Sequence, residues 1–285
     1  MTSSALLLAN RESGSGEAHR VAELLRTAGS KVEEVDLDQA EASVAHDPGR
    51  IVVAGGDGSV GAAAALASRS GAPLAVIPTG TANDFARALG LPLDLEEAAR
   101  LAAEGRASRR LDLGWISVDD RAARPFVNAA SAGLSPVAAH QAGRLKRPLG
   151  PLAYSVGALR AGLRADPLAC TVACDERTAF SGFAWQVIVA CTGAFGAGAD
   201  VDADPHDGVL DAVVMEAGAR RRLIRYAYGM RAGRVESQEG VITCAGKRVR
   251  VQTDGSTGFN VDGELLSGAV AECEIEPGAF PVITG

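Results

Sequence analysis

The sequence predicts an α/β domain built on a parallel sheet, followed by a mainly antiparallel β-sandwich domain. Three observations carry this reading. Apolar runs alternate with helical periods through the first third of the chain. Two of those runs lead straight into glycine-rich turns. Beyond Arg109, strand-like runs take over.

The elements follow in order. Ala5–Ala9 is a short apolar run, broken by Asn10-Arg11-Glu12-Ser13-Gly14-Ser15-Gly16. Val21, Leu24, Leu25 and Ala28 recur at helical spacing, and Gly29 can end that helix. Lys31–Leu37 reads as a second strand and Arg50–Ala54 as a third, continuous and apolar like a strand buried on both faces. An Ala-rich helix over Val60–Arg69, a fourth strand over Pro73–Pro78 and helices over Ala82–Leu89 and Leu95–Glu104 complete the domain. This βαβ rhythm implies a parallel sheet with helices on both faces. Ligands of such sheets bind beyond the carboxyl ends of the strands, where both glycine-rich turns lie.

The second texture consists of runs at Leu111–Val118, Pro125–Ala130, Ala169–Cys174, Phe183–Cys191, Val209–Met215, Gly240–Thr243 and Arg248–Thr253. Helical inserts are expected around Ser135–Lys146 and Leu152–Arg164. The pattern suits antiparallel β structure. We place the domains at 1–108 and 109–285, with the extreme C-terminus free to return to the first.

A chain of 285 residues suits one large domain or two modest ones, and 47% hydrophobic content allows a sizeable core. The net charge of −7 argues against nucleic acid as a main partner, because phosphate binding needs clustered positive charge. The opening apolar run, Ala5 to Ala9, is shorter than a signal peptide requires. The longest apolar stretch, Phe183–Ala199, contains Gln186 and three glycines and reads as strand and loop. A cytoplasmic protein is expected. Cys170, Cys174, Cys191, Cys244 and Cys273 are an odd, scattered set, which in such a chain predicts reduced thiols. Cys170 and Cys174 fall on one face of a strand and read as core residues rather than metal ligands.

Two motifs carry chemistry. Gly55-Gly56-Asp57-Gly58-Ser59 stands where a buried strand ends and a helix begins. Its glycines let the backbone turn tightly beside a ligand, and the N–H groups of the turn and helix start attract phosphate. Asp57 beside phosphate implies a bridging Mg²⁺. The P-loop pattern GxxxxGK[ST] is absent. The second motif, Pro78 to Arg87 (PTGTANDFAR), sets Thr81, Asn83 and Asp84 near a helix start. Capping would explain one of these polar residues, not all three.

GGDGSV followed by PTGTANDFAR, each after a strand, resembles the catalytic domain of the diacylglycerol kinase family, which sphingosine and ceramide kinases share. NAD kinases and phosphofructokinases look like distant relatives through GGDG, so the resemblance implies a first domain of their kind. Asn10 to Gly16 resembles the family's NPxSGxG loop, with Arg11 in place of proline. Asp112-Leu113-Gly114, Phe126 to Leu134, Asp207 to Asp211 and Asp262-Gly263-Glu264 resemble further family segments in the expected order. Ser59 stands where the family usually has Thr, and Gly61 where it usually has Asn or Glu.

The resemblance implies an ATP- and Mg²⁺-dependent lipid kinase that phosphorylates a lipid hydroxyl, diacylglycerol first, giving phosphatidic acid. It implies Glu264 as general base, with Asp57 as its catalytic companion. It implies ATP contacts at Asn10, Gly55, Gly56, Asp57, Gly58, Ser59, Val60, Gly61, Thr81 and Asn83, and an Mg²⁺ network of Asp57, Asp84 and Asp112. Read without the resemblance, Asp262-Gly263 is a hairpin turn.

The acid-rich stretch Asp200 to Gly208 is no EF-hand loop, since Pro205 stands where glycine is required. The resemblance implies a structural Mg²⁺ turn here, with the Asp207 side chain and carbonyls near Asp204 and Val209 as ligands. The Ala-Pro pair that usually precedes this turn is missing. His19, His46, His140 and His206 read as solvated.

Ala219–Gly233 is a basic helix whose arginines form either a solvated face or a dock for anionic headgroups. The expected partner is a lipid substrate, met transiently at the inner face of the membrane, with its tails in an apolar groove of the second domain. A homodimer stays open. So do a sphingoid base, another lipid alcohol or NAD as acceptor, and a catalytically weak nucleotide or lipid sensor.

Overall fold

The computed structural model describes residues 4–9, 15–40, 48–134, 166–196 and 199–285. The chain divides into two compact units. One comprises Met1–Leu113, Pro205–Asp207 and Glu276–Gly285; the other comprises Gly114–Asp204 and Gly208–Ile275. The helices expected around Ser135–Lys146 and Leu152–Arg164 lie outside the described residues, as does Asn10.

The first unit runs β1 (Ser4–Ala9), α1 (Ser15–Thr27), β2 (Lys31–Asp36), β3 (Arg50–Gly55), α2 (Asp57–Ser70), β4 (Leu74–Pro78), α3 (Asp84–Ala88), α4 (Leu95–Glu104) and the start of β5 (Ser108–Val118). β1 pairs in parallel with β2 and β3, and β3 pairs in parallel with β4. β3 and β4 are apolar and buried at nearly every position, the signature of interior strands covered on both faces. Leu7, Val52 and Ile77 pack with Val21 and Leu25 of α1; truncating one such leucine to alanine costs about 2–5 kcal/mol. α2 buries Val60 and Ala63 to Ala67, and Gly71 ends it in the left-handed region at φ 73°. α4 begins at Asp94, whose carboxylate accepts the N–H groups of Glu96 and Glu97 at 3.0 Å.

β5 continues into the second unit. There follow β6 (Arg124–Phe126), β7 (Ala129–Gly133), β8 (Leu168–Cys174), β9 (Arg177–Ala190), β10 (Ala194–Phe195), β11 (Ala199–Asp200), β12 (Leu210–Glu216), α5 (Arg222–Arg231), β13 (Val241–Gly246), β14 (Arg248–Val261) and β15 (Glu264–Ile283). The ladders are antiparallel: β9 pairs with β7, β8 and β12, β14 with β7, β8 and β15, and β12 with β13. Two hairpins turn on pairs of residues with positive φ, Asp175–Glu176 (46° and 68°) and Asp262–Gly263 (45° and 94°), as a two-residue type I′ turn requires. One apolar cluster gathers Ile116, Phe126, Val172, Val189 and Phe259. A second, with Trp185, Ile188, Val213 and Tyr226, includes the buried side of α5.

β15 is a strand that the sequence reading did not assign. Its twenty residues pass through Pro277 and Gly278, two residues that interrupt an apolar alternation. Its last residues belong to the first unit, where Val282 pairs in parallel with Leu74 of β4.

The cysteines correct the expectation of reduced thiols throughout. Cys174 of β8 and Cys244 of β13 form a disulfide, while Cys170, Cys191 and Cys273 are buried thiols outside it. The partners stand 70 residues apart, so their spacing gave no sign of pairing; the fold brings their Cα atoms to 6.3 Å. Among the described residues, no helix is long and apolar enough to cross a membrane.

Candidate active site

The two glycine-rich turns of the first unit lie side by side. β3 and β4 are neighbours in register, with Gly55 opposite Pro78, so both chains leave the sheet at the same level. The N–H of Thr79 donates to Gly55 O at 3.1 Å. A Cβ on Gly80 would stand 2.6 Å from Gly56 Cα and 2.8 Å from Asn83 Oδ1, so the two backbones touch where neither has a side chain. A Cβ on Gly55 would collide with Ser59 Cβ at 2.7 Å. Gly56 is the N-cap of α2 and supplies no side chain to it. An N-terminus of this kind suits an anion.

Asp57, in the first turn of α2, accepts the N–H of Phe85 through Oδ1 at 2.9 Å. That bond ties the first motif to the start of α3 in the second. Asn83, at φ 52°, donates from Nδ2 to Gly80 O at 2.9 Å. Its Oδ1 is buried with no donor among the described residues. Thr81 is exposed, and Gly58 and Ser59 are half-buried. Val60 and Gly61 are buried, so a ligand would meet only their backbone.

Asp84 and Asp112 are buried. Asp112 Oδ1 accepts the N–H of Gly278 at 2.6 Å, and the Asp112 N–H donates to Pro205 O at 2.9 Å. These bonds fix β5, the end of β15 and the short acidic turn as one construction. Among the described residues, no group of three or more His, Cys, Asp or Glu side chains is arranged to hold a metal ion. Asp57, Asp84 and Asp112 therefore do not form a self-sufficient three-carboxylate site. Their hard oxygens suit Mg²⁺ only with phosphate or water completing the shell. In the acidic turn, Asp207 belongs to the first unit, and Asp204 and Val209 to the second. Both aspartates are exposed. His206 sits beside Asp207, with Nδ1 2.9 Å from Arg110 O.

Glu264 is the first residue of β15, in the second unit, and its partner across the hairpin is Val261. The turn itself is clamped. Asp262 accepts the N–H groups of Val127, Asn128 and Ala129 at 2.7, 3.1 and 3.0 Å, and Asn260 Oδ1 accepts the N–H of Gly263 at 3.0 Å. Asn128 is buried in turn and accepts the Thr192 hydroxyl at 3.0 Å. Asp262-Gly263 is thus a hairpin turn, and it presents Glu264 from a rigid base. The Glu264 side chain is 60% exposed and pairs with Arg124 at 3.0 Å. Sequence reasoning missed Arg124, which stands 140 residues away with no motif around it. A carboxylate held this way can accept a proton from a hydroxyl that reaches it.

One small cavity in the second unit is closed to lipid. Ile116, Ala132, Val189, Phe259 and Cys273 line a space of about 10 Å³, near the size of a single water and far below that of an acyl chain.

Comparison with known proteins accounts for both units. Residues 4–116 match the family model described as the diacylglycerol kinase catalytic domain. Residues 128–284 match that of the YegS C-terminal NAD kinase beta sandwich-like domain. A Cronobacter sakazakii protein named "Probable lipid kinase YegS-like" is 30% identical over 290 residues, covering 96% of this chain and 93% of its own. A diacylglycerol kinase of Mycobacterium tuberculosis is 28% identical over 244 residues, 85% of this chain and 79% of its own. The crystal structure of a diacylglycerol kinase from Bacillus anthracis shares the fold, with a TM-score of 0.77 at 21% identity over 99% of this chain and 97% of that one. The chain belongs to the family of bacterial diacylglycerol kinases and YegS-like lipid kinases, and it is a kinase.

Proposed function

We propose that this kinase transfers the γ-phosphoryl group of ATP to the hydroxyl of diacylglycerol, giving phosphatidic acid and ADP, at the cytoplasmic face of a membrane. The observation that carries the reading is the contact of two glycine turns at the ends of β3 and β4, locked by the Asp57–Phe85 bond, in a chain of this family. Diacylglycerol is the favoured acceptor because relatives from Mycobacterium tuberculosis and Bacillus subtilis bear the name diacylglycerol kinase.

In this reading the turn over Gly55 to Ser59 takes the phosphates through backbone N–H groups and the start of α2. Thr81 and Asn83 line the other side. Asp57, Asp84 and Asp112 are the residues that would supply oxygen ligands for Mg²⁺, with phosphate or water completing the shell. Mg²⁺, when bound, would neutralise phosphate charge as the phosphoryl group moves. Asp204, Asp207 and Val209 are the residues that would hold a second, structural Mg²⁺. Glu264 accepts the proton of the lipid hydroxyl as its oxygen bonds to the γ-phosphorus and the bond from that phosphorus to ADP breaks.

The test is transfer of radiolabelled γ-phosphate from ATP, with Mg²⁺, to diacylglycerol, monoacylglycerol, sphingosine and ceramide in mixed micelles, with soluble NAD alongside. Labelled phosphatidic acid, lost in E264Q, is the expected result. Label on sphingosine, ceramide or NAD alone would overturn the acceptor. ATP binding with no labelled product would overturn the enzyme reading in favour of a sensor.

A further inference from the structure

The segment after β12 has a charge pattern opposite to that of the chain around it. From Ala217 to Val235 there are six arginines and no Asp or Glu, in a protein of net charge −7. Two of the arginines are held by neighbouring side chains. The Arg220 guanidinium lies 5.3 Å from the centre of the Trp185 ring, and Arg222 pairs with Glu239 at 3.1 Å. The inner side of α5 is equally settled. Tyr226 is buried, and Gly229 has no space for a Cβ, which would overlap Gln238 Nε2.

The outer side is unusual. Arg221, Ile224, Arg225 and Tyr228 recur at the three- and four-residue spacings that place them on one face, and all are exposed. Ile224 is 66% and Tyr228 76% exposed, two of the few large apolar side chains open to solvent among the described residues. A third, Phe183, is 60% exposed. It stands two residues before Trp185 on β9, so strand alternation puts both on one side. Its carbonyl accepts the N–H of Ala217 at 2.7 Å, where the chain enters the basic segment. Single exposed apolar residues are ordinary. An isoleucine and a tyrosine one helical turn apart, set among arginines with no acidic residue between, have the composition of a helix that lies in a bilayer interface.

We propose that the outer face of α5 is the surface by which this protein docks on an anionic membrane. Arg221, Arg225 and Arg231 meet lipid phosphates, and Ile224, Tyr228 and Phe183 enter the boundary between headgroups and acyl chains. This deepens the lipid-kinase reading, whose acceptor resides in a membrane, and it can be tested apart from that reading.

The experiment is co-sedimentation of the full chain with phosphatidylcholine vesicles, with and without phosphatidylglycerol, at low and high salt. The double variants R221E/R225E and I224S/Y228S are compared with the parent. Phosphorylation of a short-chain, water-dissolved diacylglycerol is measured on the same samples. The parent is expected to sediment with phosphatidylglycerol vesicles and to be released by salt. Each arginine neutralised costs roughly five-fold in partitioning, so the charge-reversal pair falls by about 25-fold or more. The serine pair falls by roughly ten-fold while keeping its salt dependence. Activity on the dissolved substrate stays at the parent level in both variants. The proposal is overturned if either pair binds like the parent, if neutral and anionic vesicles bind alike, or if the parent binds soluble heparin but no vesicle. Salt-sensitive vesicle binding without phosphorylation of any dissolved lipid would uphold the dock and sink the lipid-kinase reading instead.

Discussion

Asp57 Oδ1 accepts the N–H of Phe85 at 2.9 Å, joining the first turn of α2 to the first turn of α3. One carboxylate thus serves two ends. It holds the paired turns together, and in the proposed reaction it would also be a ligand for Mg²⁺. The two roles separate by substitution. D57A removes the acceptor and leaves a partly buried N–H unpaired, a loss of about 1–3 kcal/mol of stability. D57N keeps an oxygen in place and removes the charge, so its melting should match the parent within about 1 kcal/mol while lipid phosphorylation falls by roughly ten-fold or more. Thermal melts beside a phosphorylation assay decide. A D57N enzyme of full activity would confine Asp57 to its structural bond.

Gly80 is the most constrained position of the site. An added Cβ meets Gly56 Cα at 2.6 Å, backbone against backbone, so no side chain can swing aside. G80A should force the turns apart, costing about 1–3 kcal/mol as overpacking does, and should weaken ATP binding by at least ten-fold. G71A supplies the control. Gly71 sits in the left-handed region with open space around it, so alanine there costs about 1 kcal/mol of backbone strain at the far end of α2. If G71A lowers stability and leaves ATP affinity intact while G80A loses both, the close approach of the turns is what binds nucleotide. Equal ATP affinity in both variants would refute that.

The Glu264–Arg124 pair separates chemistry from folding. Both side chains are more than half exposed, so the pair contributes at most about 1 kcal/mol to stability. E264Q and R124A should therefore melt close to the parent. Losing a general base costs about 100-fold or more in turnover, whereas R124A only frees the carboxylate to rotate and should cost several-fold. Steady-state rates on the accepted lipid check this. An R124A loss as deep as that of E264Q would make the arginine a participant in the reaction and not a support for its neighbour.

The legible part of this protein was local. Gly55 to Ser59 and Pro78 to Arg87 could be found because each motif is continuous and follows an apolar strand. What joins them was not legible: the Asp57–Phe85 bond, the contact of Gly56 with Gly80 and the clamp of Asp262 on Val127, Asn128 and Ala129 all depend on strand order and register. Asp262-Gly263 showed the turn in advance because a type I′ hairpin has a two-residue signature. Arg124 had none, since an ion pair across 140 residues leaves no periodicity. β15 escaped because Pro277 and Gly278 interrupt the alternation by which a strand is read.

The cysteines give the last prediction. Burial pushes the Cys170 thiol up to about 11 and, with Glu272 nearby adding to it, the Cys273 thiol up to about 12. The thiolate is the reactive form, and it is favoured only above those values. Neither residue should be alkylated by iodoacetamide at pH 8 in the folded protein, and both should react at once in denaturant. Cys174 and Cys244 should resist even in denaturant until reductant is added, because they are bonded to each other. Closing a loop of 70 residues restricts the unfolded chain by about 4 kcal/mol in the entropic account. The melting temperature should therefore drop on reduction, and C174S/C244S should show the same drop without reductant. Peptide mass mapping after alkylation, beside melts with and without reductant, measures both halves. Labelling of Cys174 and Cys244 in denaturant alone would remove the bond. A melting temperature indifferent to reductant would mean that the antiparallel ladders of β8 and β13 hold that region without it.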